Sequence, residues 1–227
     1  MPIESVYIAR EKDGLMLVAS MEHGSSTPSQ QMGLYRNQAK HILKRLSPRS
    51  AAKMSIDSDP FIFHYMISDG ICYLTLTDKS YPKRLAFLFL QEICKDFEPD
   101  LKEEYGEDWL RKVETVGRQY AFIKFDRVIQ RKRREYLDPN SSVNMKKLND
   151  DLQSIHNIMR KTIDDVLGRG DKLDDTSQMS KSLVEDSKNY RWGAKKLSTV
   201  ALIKQNLPLV VVAGIVIIVL ILRVTLY

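Results

Sequence analysis

The chain has 227 residues, enough for one domain of ordinary size plus a long additional element. Its two cysteines, Cys72 and Cys94, lie in apolar surroundings and read as small buried hydrophobes, which sets aside a disulfide-stapled fold. The formal net charge of +6 is spread along the chain, and its densest basic run, "QRKRRE" at 130–135, has no aromatic platform or recognition motif beside it. That run reads as a solvated linker, with contact to anionic lipid or nucleic acid as the alternative.

Up to about residue 125 the sequence mixes apolar and polar residues as a globular domain does. "SVYIAR" and "LMLVASM" are strand-like runs joined by a turn containing Asp13 and Gly14, a hairpin signal. After the polar stretch "EHGSSTPSQQ" a helix is expected from about Met32 to Leu46, burying the line Ala39, Ile42, Leu43 and Leu46. A short strand should lie in "SPRSAAKMSIDSDP". "FIFHYMIS" and "ICYLTLTD" form a second hairpin across Asp69-Gly70. Ser80 and Pro82 start a helix with Ala86, Leu90, Ile93 and Phe97 on one face, and a last helix occupies "YAFIKFDRVIQRKRRE". Two strands, a helix, three strands and two helices predict an α+β domain: an antiparallel five-stranded sheet with flanking helices.

No catalytic, cofactor or metal site assembles from these residues. His23, His41, His64 and His156 lack metal-ligand spacing, and "GRGD" lacks the Gly-Lys-Ser/Thr end of a phosphate-binding loop. The chain is therefore not expected to be an enzyme.

Beyond the domain the pattern changes. Stepping by threes and fours from Arg169 gives Val166, Ile163, Met159, Ile155, Leu152, Leu148 and Met145 upstream, and Leu173, Thr176, Ser180, Leu183, Ser187, Tyr190, Ala194 and Leu197 downstream. This is a coiled-coil seam, spanning about 78 Å if wholly helical at about 1.5 Å per residue. Twelve of its sixteen positions are apolar or aromatic, so a lone helix would leave a continuous stripe exposed and needs partner helices to bury it. Arg169 inside the seam suits a layer in which neutral side-chain carbonyls on facing helices satisfy its five donors; a homodimer would instead bring two guanidiniums together. Gly168 and Gly170 each lower helicity by about 1 kcal/mol.

From 205 to 222, "QNLPLVVVAGIVIIVLIL", eighteen residues carry no charge, which predicts one membrane-spanning helix. Lys195, Lys196 and Lys204 precede it as cytoplasmic flanking positives, and "MPIESVYIAR" is not a signal peptide. The expectation is a tail anchor with the N-terminal body in the cytosol. The short span, with Pro208 near its start, suits a thin membrane of the early secretory route.

The run from "MKKLNDDLQSIHNIMRKTIDDVLGRGDKL" to "NYRWGAKKL", followed by such an anchor, resembles the SNARE motif of the R class, with "VL.RG..L" as its most diagnostic piece. The N-terminal body resembles a longin domain, and "SYPKRLAFLFLQEICKDF" with "YAFIKFD" is most similar to the branch shuttling between endoplasmic reticulum and Golgi. The resemblance covers essentially the whole chain. It implies a longin-like domain at 1–125, a basic linker at 126–140, an R-SNARE coiled-coil motif at 141–200 and a transmembrane tail anchor at 205–223. It further implies a four-helix bundle with one Qa, one Qb and one Qc helix around a central layer at Arg169, assembled across two membranes to drive their fusion. The disassembly machinery of the SNARE cycle and the coat of vesicles leaving the endoplasmic reticulum are implied partners. The implied location is the endoplasmic reticulum membrane, the Golgi membrane and the vesicles between them; nucleic acid is not a partner. In this branch an Asn-Ile-Glu segment folds back on the longin domain and is read by the coat. Here Thr162, Ile163 and Asp164 stand in its place. The competing reading is a membrane-tethered longin regulatory or tethering module whose helix only dimerises.

Overall fold

A computed structural model of the protein describes residues 3–21, 29–47, 49–150 and 158–168. Strands β1 (Ile3–Arg10) and β2 (Met16–Met21) form the first hairpin, antiparallel with Tyr7 opposite Ala19. Its turn needs Gly14: φ is +66°, and a Cβ there would come within 2.9 Å of the Leu43 and Lys44 backbone. Helix α1 (Ser29–Lys44) follows, with Ala39, Ile42 and Leu43 buried, and then β3 (Lys53–Ser58). β4 (Phe61–Ser68) and β5 (Ile71–Asp78) pair across Asp69 and Gly70, both at positive φ as a two-residue primed turn demands.

Strand side chains alternate between faces. On β4, Phe61 and Phe63 touch Tyr35 of α1, whereas His64 touches Phe87 of the long helix α2 (Lys83–Tyr105). The sheet is therefore sandwiched, α1 on one face and α2 on the other, which is why β1, β4 and β5 are buried almost residue by residue rather than alternately. Phe97 of α2 packs edge-on against Tyr73, Phe122 and Phe125 and is fully buried. Burial of such a side chain contributes about 1.5–3 kcal/mol.

The sheet has six strands, in the order β2-β1-β5-β4-β3-β6, and this corrects the expected five-stranded antiparallel sheet. The first five pair antiparallel; β6 (Met159–Thr162) joins the outer edge of β3 in parallel. It comes from the segment expected to be coiled-coil helix once partner helices bury its seam. Within 141–200 the described residues form α5 (Ser142–Asp150), β6 and the short α6 (Ile163–Leu167) instead. The physical reason is that the stripe has no partner helix here: Leu148, Ile163 and Val166 pack on the body instead, while Met145 and Met159 stay exposed.

Two further readings are corrected. A short helix, α3 (Trp109–Thr115), intervenes before the last helix of the body, α4 (Asp126–Glu135). The stretch 126–140 is not a solvated linker throughout: Val128, Ile129, Arg133 and Tyr136 are buried, and Arg133 Nη2 donates to the Ser20 carbonyl at 3.3 Å. Among the described residues no helix is long and apolar enough to cross a membrane; the span expected at 205–223 lies outside them.

Candidate functional site

β3 would otherwise be an edge strand, with a row of backbone groups to satisfy. β6 supplies partners in the register Met54↔Met159, Ser55↔Arg160, Ile56↔Lys161 and Asp57↔Thr162. Its four residues are all exposed, so this pairing does not come from a buried apolar face of the strand. Arg160 fixes it from one side: Nε donates to Asp57 Oδ2 and Nη2 to Oδ1, each at 2.7 Å. That fork is the bidentate geometry in which a guanidinium holds a carboxylate best. The Arg160 hydrogen bonds keep the Asp57 carboxyl below the usual carboxylate range, against a smaller opposing effect of burial.

Strand becomes helix at Thr162, which has extended backbone (φ −89°, ψ 159°). Its hydroxyl accepts from Asp165 N at 3.3 Å, and its own N–H donates to Asp165 Oδ2 at 3.2 Å, a reciprocal capping box. α6 stops at Gly168, where φ is +79° and the N–H donates to the Asp164 carbonyl at 2.9 Å. Arg45 Nη1, from the end of α1, donates to the Val166 carbonyl at 3.1 Å. Leu167 is buried in the body's core, and Ile158, Ile163 and Val166 are half-buried against it.

The approach to this segment is also held through its backbone. At the start of α2, Arg84 Nη2 donates to the Leu148 carbonyl at 2.7 Å and Lys83 Nζ to the Ile158 carbonyl at 3.2 Å. Asn144, fully buried, donates through Nδ2 to the carbonyls of Glu135 and Asp138 and so fixes the turn between α4 and α5. Lys147 pairs with Glu92 at 2.8 Å and lies 4.3 Å above the Tyr136 ring. Between α1, β3 and the docked segment is a cleft of about 500 Å³. Met159, Lys161, Asp165 and Val166 line it together with Ile42, Leu46, Met54 and Tyr65, so its wall is complete only while residues 158–168 are docked.

The seam positions divide three ways. Met145 and Met159 are exposed; Leu148, Ile163 and Val166 are half-buried on the body. Leu152, Ile155, the central Arg169 and Leu173, Thr176, Ser180, Leu183, Ser187, Tyr190, Ala194 and Leu197 lie outside the described residues. Of the three fold-back residues, Thr162 caps α6, Ile163 packs on the body and the Asp164 carbonyl receives Gly168. Sequence reasoning missed Arg160, Asp57, Arg45, Lys83 and Arg84, whose roles depend on carbonyls and a carboxylate far away in the chain. Thr162-Ile-Asp-Asp165 did carry a readable signal, a threonine with an acid three residues on.

Nothing here sets up bond-making chemistry. His64 is buried, with Nδ1 2.9 Å from Ser55 Oγ and Nε2 3.2 Å from Thr77 Oγ1, and burial pushes its imidazole down to about 3. His41 is exposed on α1, while His23 and His156 lie outside the described residues. Among the described residues no three His, Cys, Asp or Glu side chains converge to hold a metal. What the site can do is hold or release a segment of chain.

Two family models match the sequence: the regulated-SNARE-like, or longin, domain over residues 19–129 and synaptobrevin over residues 144–224. The 25.3 kDa vesicle transport protein SEC22-1 of Arabidopsis thaliana is 40% identical over 216 residues, 94% of each chain. Protein transport protein SEC22 of Saccharomyces cerevisiae is 36% identical over 93% of this chain and 94% of its own. Vesicle-trafficking protein SEC22b of Xenopus tropicalis is 36% identical over 84% of this chain and 85% of its own.

Proposed function

The chain belongs to the SEC22 family of vesicle transport proteins, non-enzymatic SNAREs built from a longin and a synaptobrevin domain, and on that premise we propose how its residues serve transport between endoplasmic reticulum and Golgi. It is the R-SNARE: residues 145–197 contribute one helix to a four-helix bundle with a Qa, a Qb and a Qc helix. Arg169 meets three neutral amides in the central layer, and residues 205–223 anchor the chain in the membrane. Zipping toward the anchor buries the seam and converts association free energy into work on two bilayers. A recycling ATPase separates the spent bundle. The observation that carries this reading is the 40% identity running through 94% of both chains, with an arginine inside a mostly apolar seam.

Residues 158–168 serve a second purpose. Docked on β3, they withhold Met159, Ile163 and Val166 from partner helices and complete a surface that the coat of vesicles leaving the endoplasmic reticulum reads. Thr162 supports the docked form through its capping box, in place of the amide at the corresponding position of the branch.

Titrating purified Qa, Qb and Qc helices against the full chain, with helicity and dissociation followed on the same samples, tests the bundle. Helicity should rise cooperatively only when all three are present. A gain of helicity by the chain alone as its concentration rises would instead mark a dimerising, tethering module.

A further inference from the structure

The basic run at 130–135 is only half used by the fold. Arg133 is buried and Lys132 is drawn into ion pairs with Glu92 at 2.9 Å and Asp96 at 3.6 Å. Arg131 and Arg134 are exposed and have no ion-pair partner among the described residues, and the same is true of Lys146 on α5. Arg127, Arg131 and Arg134 follow one another at helical spacing along the outer line of α4. Arg127 is itself mostly exposed, touching Asp100 only at 3.5 Å. Leu137 continues that line, its N–H donating to the Arg134 carbonyl at 3.4 Å.

Apolar exposure is concentrated at the same corner. Of five large hydrophobics exposed among the described residues, Leu137, Val143 and Met145 fall within nine positions. Met145 belongs to the bundle seam, but Leu137 and Val143 do not, so bundle assembly leaves them unexplained. Of the neighbouring acids, Glu135 faces Lys132 at 3.6 Å and Lys147 at 4.0 Å, and the exposed Asp138 accepts from Asn140 N at 2.9 Å.

We propose that this corner, Arg127, Arg131, Arg134 and Lys146 with Leu137 and Val143 at its tip, docks the longin domain on the surface of an anionic phospholipid bilayer. Exposed cations, of which only Arg127 has an ion-pair partner among the described residues, beside short aliphatic side chains in water are the composition of an interfacial lipid-binding surface. A surface for single-stranded nucleic acid would pair its cations with stacking aromatics, and the exposed apolar side chains here are aliphatic. The inference rests on the membrane residence argued above; 37 positions separate Gly168 from residue 205, enough chain for the body to reach the bilayer.

The test uses the full chain with a nitroxide at Val143→Cys in a Cys94→Ala background, reconstituted in nanodiscs of phosphatidylcholine alone or with about 30% phosphatidylserine. Oxygen and nickel-complex relaxation report the depth of the label. Expected is a membrane-depth signal in anionic discs only, reversed by salt. In Arg131→Gln/Arg134→Gln the docked-to-free ratio should fall about thirtyfold, from about 1 kcal/mol per cation. Both arginines are exposed, so an unchanged thermal melt verifies the fold of that variant. A label in water on both discs overturns the proposal, as does equal depth on neutral and anionic discs or a double variant that docks as the parent does. A chain that fails to enter either disc overturns the anchor alone. Its flotation with anionic but not neutral vesicles would then uphold the surface, and flotation with neither would overturn it.

Discussion

At His64 the body trades solvent for two hydroxyls, Ser55 and Thr77, and burial holds the imidazole neutral down to about pH 3. The unfolded chain takes up its proton near pH 6.5, so between those values it binds more protons than the folded one. The stabilisation from neutral His64 is therefore full above about pH 6.5 and declines on acidification toward pH 3, at roughly 1 kcal/mol per pH unit. His64→Gln can keep polar contacts without titrating. Relative to the parent, its denaturant midpoint should be less sensitive to pH between about 6.5 and 4; parallel curves would show that His64 is not the titrating group. Asp57 gives the opposite handle on the docked segment. Its carboxyl is held low by Arg160, so the contact is present above the ordinary carboxylate range and lost as pH falls through the depressed docked value. Because Arg160 is more than half exposed, the pair is worth little more than other surface pairs. Arg160→Ala should raise the open-to-docked ratio about two- to fivefold. Hydrogen exchange at residues 159–162 would show it, with acid sensitivity reduced in the variant.

The same difference between near and far partners decides which elements the sequence reveals. Asp13-Gly14 and Asp69-Gly70 announce their hairpins because turn geometry is a local demand, and the line Ala86, Leu90, Ile93 and Phe97 marks the buried face of α2. α4 was half hidden: its arginines suggest solvent, yet Val128 and Ile129 beneath them reach the core. β6 was hidden entirely. Met159 fits the helical stripe, Arg160 and Lys161 look like its wet flank, and no alternation betrays a strand; only the unpaired edge of β3 calls for one. The capping box at Thr162 is what ends the strand and starts α6, so it should control docking. Thr162→Val keeps the shape and removes the cap, a loss of about 1 kcal/mol or about fivefold in the docked-to-open ratio. Thr162→Asn should dock at least as well as the parent, since asparagine is an equal or better cap. Ile163→Asp, which puts a carboxylate against the core, should open the segment most. Exchange protection across 159–167 ranks the three; a Val variant protected like the parent would remove the cap from the account.

For the molecule as a whole, Met159 cannot lie in a strand on β3 and in the proposed helical seam at once, so on that proposal docking and bundle formation compete for the same residues. Variants on the body can then be separated from variants on the seam. Asp57→Asn weakens the latch and touches no bundle position; it should speed capture by partner helices in proportion to the rise in open population, while the finished bundle dissociates as the parent does. Arg169, one residue past the last described position, should behave in the reverse way. In the bundle proposed above, Arg169→Gln would set a fourth amide among three that await a charged donor, costing the layer its strongest hydrogen bonds while the apolar layers stay intact. Arg169→Leu should assemble at least as stably, since no cation is desolvated, but with register less well specified because three amides lose their partner. Arg169→Asp brings a carboxylate to acceptors that cannot satisfy it and should lose several kcal/mol of assembly. None of the three should alter exchange protection of β6. The measurement is one titration of partner helices across the four variants, with capture rate, helicity and dissociation followed together. Equal affinity for the leucine and aspartate variants would place residue 169 in solvent and end the central-layer reading, whereas an Asp57→Asn chain captured no faster than the parent would mean that docking does not restrain assembly.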